Sequence, residues 1–413
     1  MTIKKQAQTR KEMKQELKEK YDIDMWPEEK ITAFRKALLD WYDAEGRSHL
    51  PWRENNDPYR IWVSEIMLQQ TRVITVIPYF NHFMMLFPSI KALAEADEEI
   101  LLKAWEGLGY YSRVRNLQKA AQQIMKEYDG VFPNDPAEII KLKGIGPYTA
   151  GAISSMAFNL PEPAVDGNVM RVFSRVFEIG EDIAKPATRK IFELLVRILV
   201  DPERPGDFNQ AIMDLGTDIC APSNPRPEES PIKEFNAAYQ NGTMHLYPFK
   251  SKAKRPVPKT MQGIVIQKGD QFLLEQRPQD GLLANFWTFP IIEEDWGKWD
   301  KAKKEPIQLN FLVAESSPTN RKGIEQLQKT VRENLRVDAD DFQPAVGSFS
   351  HVFSHRKWNI TVHHVQAAKL TKELPENMKW VSRFDFPEYA FAVPQQKMWE
   401  IIRKQNRNFL QSF

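Results

Sequence analysis

Three short stretches of the chain hold side chains whose types and spacing suit acid–base or phosphate chemistry. The first is Ile61-Trp62-Val63-Ser64-Glu65-Ile66-Met67-Leu68-Gln69-Gln70-Thr71. On a helix, Glu65 shares its face with Ile61, Trp62 and Leu68. A carboxyl among such neighbours loses water, keeps its proton to higher pH and can donate it. The same window also allows an ion pair of Glu65 with Arg72 that only holds structure. The second stretch is Leu142-Lys143-Gly144-Ile145-Gly146-Pro147-Tyr148-Thr149-Ala150-Gly151. Gly144 and Gly146 permit a sharp turn with bare N–H groups, and Pro147 pre-sets a helix running through Ala157. Such a helix start binds phosphate. Glycines alone fit a structural turn between two helices at least as well. The third is Asp166 in Pro163-Ala164-Val165-Asp166-Gly167-Asn168-Val169-Met170-Arg171-Val172. It reads as a helix cap, or as a carboxylate kept ionised beside a helix N-terminus and able to stabilise a nearby cation.

The elements that must hold these residues are helices. From about residue 31 to 220 the pattern is helical, with Trp62, Ile66, Gln69 and Val73 on one stripe and Leu101, Leu102, Trp105 and Leu108 on another. Prolines 78, 88, 133, 147 and 163 read as breaks between helices. Residues 1–30 are rich in Lys, Glu and Gln and read as a frayed, solvated helix without assigned function. At Pro222-Ser223-Asn224-Pro225-Arg226-Pro227 regular helix becomes impossible. Residues 235–267 then carry Lys250, Lys252, Lys254, Arg255 and Lys259 with no acid, and the segment reads as an interdomain linker. Beyond residue 260 the signal is mixed α/β. A hairpin is expected around Lys268-Gly269-Asp270, a helix over 324–335 and a strand over 357–365.

A length of 413 residues predicts two or three domains. Charged residues at 27% and hydrophobic residues at 42% match a globular chain and exclude wholesale disorder. The single cysteine, Cys220, excludes an intrachain disulfide and any zinc or iron–sulfur site built from several thiolates. No run of 18 apolar residues is present, so no membrane partner is expected. The start Met1-Thr2-Ile3-Lys4-Lys5-Gln6 lacks the apolar stretch of a secretory signal, and a cytoplasmic location is expected (at the nucleoid if the source is bacterial). A net charge of +2 is too small to announce a nucleic-acid partner, so motifs must carry that case.

They do. Leu50-Pro51-Trp52-Arg53, Met67-Leu68-Gln69-Gln70-Thr71, Gly107-Leu108-Gly109-Tyr110-Tyr111-Ser112-Arg113 and Val165-Asp166-Gly167-Asn168-Val169 stand in order along the chain. With the glycine hairpin they resemble the MutY-type adenine DNA glycosylases of the helix-hairpin-helix superfamily, strongly over 31–220 and more weakly over 260–400. The resemblance implies a multidomain α + α/β protein. A charged N-terminal extension (1–30) precedes a two-lobed all-α helix-hairpin-helix glycosylase module (31–221). A Pro-rich, basic linker (222–259), a Nudix-like α/β domain for lesion recognition (260–400) and a C-terminal tail (401–413) follow.

The implied activity is hydrolytic removal of adenine mispaired with 8-oxoguanine, or with guanine, from duplex DNA by a monomer. Adenine is flipped out of the stack, because its reacting atoms are unreachable inside it. By resemblance, Glu65 protonates adenine N7, Asp166 stabilises the oxocarbenium-like sugar, and Tyr148 and Asn168 position these two acids. Trp52, Arg53, Leu68 and Gln210 align with the adenine pocket. Gln70 and Tyr110 align with residues that wedge into the stack, and Gly144 and Gly146 with the backbone grip on DNA. Bifunctional relatives carry lysine where this chain has Tyr148, and a phenol forms no imine, so efficient AP lyase activity is not expected. Two alternatives stay open at this point: a related glycosylase of other base specificity, and a lesion-binding protein without catalysis.

The chain departs from the family twice. The usual iron–sulfur ligands would fall at Cys220, Pro227, Ser230 and Asn236. A clusterless member with Pro-rich packing is therefore expected, with no cofactor beyond the monovalent cation that the family allows at the hairpin. Gly281-Leu282-Leu283-Ala284-Asn285-Phe286-Trp287-Thr288-Phe289-Pro290 is similar to the family's Nudix-like domain, but the paired glutamates of a Nudix hydrolase are Arg336 and Val337 here. The domain is thus expected to recognise the lesion, through Phe353, Ser354 and His355, rather than to hydrolyse a diphosphate.

Overall fold

The computed structural model describes residues 9–252, 255–293, 318–342, 345–370 and 372–405. Residues 1–8 of the extension, Lys254 of the basic segment and 406–413 of the tail lie outside the described residues. The chain divides into two units: Met1–Asp97 with Ser112–Lys252, and Glu98–Tyr111 with Ala253–Phe413.

The first unit is helical. One core of this unit gathers Phe34 and Leu38 of helix Glu28–Glu45, Val172 and Phe173 of Gly167–Val176, Phe192 and Leu195 of Arg189–Leu199, and Phe208 and Leu215 of Pro205–Asp218. The start of the chain joins this core, which corrects the expectation of a solvated extension. Helix Arg10–Tyr21 opens on a capping box, Thr9 with Glu12, and buries Met13 and Leu17, while Arg10 Nη2 donates to Ile198 O at 2.7 Å. One apolar pair four residues apart is enough to dock an otherwise charged helix, because its charges stay on the wet face.

Two further readings are corrected. The stripe from Trp62 to Val73 does not run along one helix, since Pro58–Leu68 ends and Val73–Leu86 begins after a sharp turn in which Gln70 takes φ of +59°. Pro78 does not break its helix. It sits inside Val73–Leu86 on the exposed side, where the carbonyl that loses its helical donor faces away from the core.

The segment after Cys220 is also more than a linker. Short 3₁₀ turns and helix Ala237–Gln240 bury Ile232 and Ala238, and the buried Arg175 guanidinium donates to Cys220 O, Ala221 O and Tyr247 O at 3.1 Å each. Residues up to Lys252 therefore belong to the first unit.

The second unit is built on one mixed sheet: β1 (Val257–Lys268), β2 (Gln271–Gln276), β3 (Trp287–Thr288), β4 (Ile291–Glu293), β5 (Val337–Phe342), β6 (Gly347–Val352), β7 (Arg356–Leu370) and β8 (Met378–Ser382). The β1–β2 hairpin turns at Gly269, at φ of +64°. β1 lies parallel to β7, with Val257 opposite Arg356 and Gln267 opposite Gln366, and every other pairing is antiparallel. Helix Pro318–Asn334 packs Val331 with Leu335 against Ile264, Ile266, Leu273 and Val365. Phe272, Phe289, Phe386, Phe391 and Trp399 form a second, aromatic cluster with helix Val393–Gln405. That helix continues past residue 400 and buries Ile402, so the expected tail begins later. Among the described residues no helix is long and apolar enough to cross a membrane.

Candidate active site

Helix Pro58–Leu68 is buried along most of its length, and Glu65 is 6% exposed within it. Glu65 Oε2 accepts from the Tyr148 hydroxyl at 2.5 Å. Burial is the main reason the Glu65 carboxyl is pushed up to about 7. The Tyr148 hydrogen bond and Arg53 pull it down, and the charge of Asp166 pushes it up. Burial also raises the Tyr148 phenol well above its ordinary value, so it stays a donor. No ion pair of Glu65 with Arg72 forms; Arg72 caps the following helix.

Tyr148 is the second residue of helix Pro147–Phe158, which packs on Pro58–Leu68. It follows directly on the hairpin, where Ile145 plugs into the core, Gly144 is exposed at φ of +80°, and Gly146 starts the helix. Nothing lies within 4 Å of where a Gly146 side chain would begin, so that backbone faces open space. Five residues on from Gly146, a Cβ at Gly151 would fall 1.9 Å from Pro163 O. The missing side chain lets the segment leading to Asp166 lie against this helix.

Asp166 caps helix Gly167–Val176. Its carboxylate accepts from Val169 N at 2.7 Å and from Asn168 Nδ2 at 2.8 Å, and it is half-buried. Burial raises its pKa, against the downward pull of these donors and of Arg171, so the helix start does not hold this acid below its ordinary range. The Asn168 amide is itself fixed: Arg171 Nη2 donates to its Oδ1 at 2.7 Å and to Gly216 O at 2.6 Å.

Glu65, Tyr148, Asp166, Asn168, Trp52, Arg53, Leu68, Gln210 and Gln70 all line one cleft of about 1240 Å³ in the first unit. Gln70 is exposed at its edge. Tyr110 (φ of +48°, 47% exposed) and the Phe353–His355 turn belong to the second unit, and the hairpin glycines lie outside the cleft. Phe353 packs edge-on against Trp358, while Ser354 and His355 are exposed at the β6–β7 turn, closed by Phe353 N donating to Arg356 O at 2.8 Å.

Two residues of the cleft were not singled out from sequence. Asp214 takes Arg53 in a bidentate pair at 2.7 and 3.0 Å, with side-chain exposures of 5% and 12%. Tyr42 donates to Gln210 Oε1 at 3.0 Å, which leaves the amide nitrogen as the end that can donate to a base. Burial pushes the Tyr42 phenol up to about 12, so it remains a donor at neutral pH. Asp214 lies four residues beyond Gln210 on helix Pro205–Asp218, a helical spacing that could have drawn attention to it.

Known proteins match this sequence. The pattern of HhH-GPD superfamily base excision DNA repair proteins fits residues 63–197, and a NUDIX domain pattern fits 261–401. The chain is 33% identical over 432 residues to the adenine DNA glycosylase of Homo sapiens, covering 91% of this chain and 75% of that one. The chain belongs to the adenine DNA glycosylase family. The same enzyme of Buchnera aphidicola subsp. Schizaphis graminum is 34% identical over 376 residues, which is 90% of this chain and 99% of that one. A thermostable thymine-DNA glycosylase of known structure aligns with 52% of this chain and 98% of its own, at 26% identity and a TM-score of 0.47.

Resemblance raises two metal groups, the four-iron cluster usual in the family and the divalent ion of a working Nudix hydrolase, and the residues present fit neither. Buried Cys220 takes Arg175 Nη1 on its sulfur at 3.1 Å, and Pro227, Ser230 and Asn236 supply no thiolate, so a four-iron cluster lacks its ligands. In the Nudix-like domain Arg332 pairs with Asp338 at 3.1 Å and Lys329 with Glu333 at 3.9 Å, alongside Arg336 and Lys372. That cationic cleft does not suit a divalent ion.

Proposed function

We propose that this glycosylase removes adenine mispaired with 8-oxoguanine or guanine in duplex DNA, as a monomer in the cytoplasm, and releases the base without efficient strand cleavage. That it is a base-excision enzyme acting on adenine in DNA follows from its family. The opposing base and the roles of individual residues are the proposal. The observation that carries it is the pair of acids in one cleft: Glu65, buried and proton-bearing near neutral pH, and Asp166, cradled by two N–H donors.

In this reading the flipped adenine enters the cleft, and Glu65 gives its proton to N7, so that the base leaves neutral. Tyr148 holds the Glu65 carboxyl in place and stabilises the carboxylate left behind. Positive charge then develops on the sugar, where ionised Asp166 stabilises it until water attacks. Gln210, with its oxygen engaged by Tyr42, offers an amide donor to a ring nitrogen, and Arg53 is held in the wall by Asp214. The Gly144–Gly146 turn takes a backbone phosphate on its N–H groups. Ser354, exposed on its turn, suits the altered N7/O8 edge of 8-oxoguanine.

The direct test is single-turnover excision from duplexes carrying A opposite 8-oxoguanine, A opposite G, and thymine glycol. Adenine release from the first two alone supports the reading, and release of thymine glycol counts against it. Two narrower outcomes are expected. Borohydride treatment during turnover traps no covalent enzyme–DNA complex, because Tyr148 offers no amine; a trapped complex would refute the monofunctional assignment. Ser354→Ala lowers the preference for A·8-oxoguanine over A·G by about 3- to 10-fold, the worth of one hydrogen bond. An unchanged ratio removes Ser354 from lesion recognition.

A further inference from the structure

Tyr110 lies between helices of the glycosylase sequence, yet the stretch that carries it, Glu98–Tyr111, belongs to the C-terminal unit. The attachment is specific. Glu98 accepts from Asn285 Nδ2 with both oxygens, at 3.2 and 3.0 Å, and Glu99 accepts from Trp287 Nε1 at 3.0 Å. Glu106 accepts from Phe391 N at 2.9 Å and from Gln396 Nε2 at 3.0 Å. Lys103 bridges Glu106 and Tyr389 O at 2.6 and 3.0 Å, and the Tyr111 ring lies 4.4 Å from that of Phe286. Carboxylates bound by N–H groups are among the stronger hydrogen bonds a protein makes. Asn285 itself sits at φ of +57°, a conformation asparagine adopts more readily than most residues with a side chain, and its amide is the group that reaches Glu98.

The loop after Glu106 shows why an anchor matters. Gly107, Gly109 and Tyr110 have φ of +96°, +69° and +48°, and the turn is braced by Trp105 Nε1 donating to Gly109 O at 3.2 Å. A ring that must enter a base stack gains from contact only if it is already held in place, since ordering it at the moment of binding costs entropy.

We infer that Glu98, Glu106 and Asn285 are positioning residues through which the C-terminal, lesion-reading unit sets the placement of the Tyr110 ring. The inference rests on the reading of Tyr110 as the stacking side chain.

The test uses the full chain and an A·8-oxoguanine duplex with 2-aminopurine beside the lesion, whose fluorescence rises on unstacking, together with single-turnover excision. Tyr110→Ala should lose the fluorescence rise and slow excision by about tenfold, the lower end of what one stacked base is worth. Glu106→Ala should do the same. Glu106→Gln, whose amide oxygen still accepts from Phe391 N and Gln396 Nε2 and which gives up only the Lys103 contact, should restore most of both readouts. Asn285→Gly keeps the backbone conformation and should lose part of each. In the Tyr110→Ala background, Glu106→Ala should add nothing, because its effect passes through the ring. If Tyr110→Ala changes both readouts while Glu106→Ala and Asn285→Gly change neither, the positioning inference is overturned and the stacking reading survives. A Glu106→Ala defect that persists undiminished on top of Tyr110→Ala also overturns it, as a merely structural effect. If Tyr110→Ala itself changes nothing, the stacking reading falls and takes the inference with it.

Discussion

Glu65→Gln abolishes adenine release, by about 10³-fold or more in single turnover, while mismatch binding is kept. The amide has nearly the shape of the acid and still accepts from the Tyr148 hydroxyl, which stands 2.5 Å away in the native cleft. What is lost is the proton. The native enzyme accordingly loses activity as pH rises through about 7, where Glu65 gives up its proton before the base is present to take it. A second consequence concerns folding. A carboxyl whose ordinary value is 4.5 and whose native value is about 7 binds its proton more tightly when folded. Its contribution to stability is therefore complete below about 4.5 and is lost progressively as pH rises to about 7, a change of about 3 kcal/mol. Gln does not titrate. Glu65→Gln is thus expected to melt higher than the native protein at pH 8 and close to it at pH 4.5. Equal loss of binding and excision, or a melting difference that ignores pH, would assign Glu65 a structural role instead.

Asp214→Ala has the largest expected effect on stability, about 3–5 kcal/mol. Arg53 is nearly buried and cannot lose its charge, so removal of its bidentate partner strands a cation in the wall of the cleft. Asp214→Asn, which keeps shape and one acceptor, should cost markedly less. Denaturant midpoints for the two variants decide this. The same change reaches the chemistry. Arg53 already draws the Glu65 pKa downward, and without Asp214 its field is less neutralised. The high-pH limb of the excision profile should therefore move to lower pH in Asp214→Asn. A limb that stays in place would show that Arg53 and Glu65 are not electrostatically linked.

These two residues also mark the limit of what the sequence made legible. The environment of Glu65 could be read because its apolar neighbours lie within one helical turn on either side, where spacing dictates proximity. The pairing of Arg53 with Asp214 joins positions 161 apart, and that of Tyr42 with Gln210 joins positions 168 apart. No local pattern encodes either. Met13 and Leu17 were legible in principle, four residues apart, but the surrounding Lys and Glu obscured the narrow apolar face. The Glu98–Tyr111 stretch misled for another reason. Its buried leucines look the same whichever body they pack against, and the glycosylase family pattern runs through them without a break. Proline and lysine after Cys220 suggested a tether, because prolines exclude helix but say nothing about docking. The Asp166 acid was read from its place at a helix start, and there burial outweighs the donors that favour its charge.

Arg175 is tied to three main-chain carbonyls, those of Cys220, Ala221 and Tyr247. A guanidinium is planar and presents its N–H donors in a fixed fork, so these acceptors are bound together only in one arrangement. Because its partners are main-chain oxygens, substitution of the residues that carry them leaves the acceptors in place.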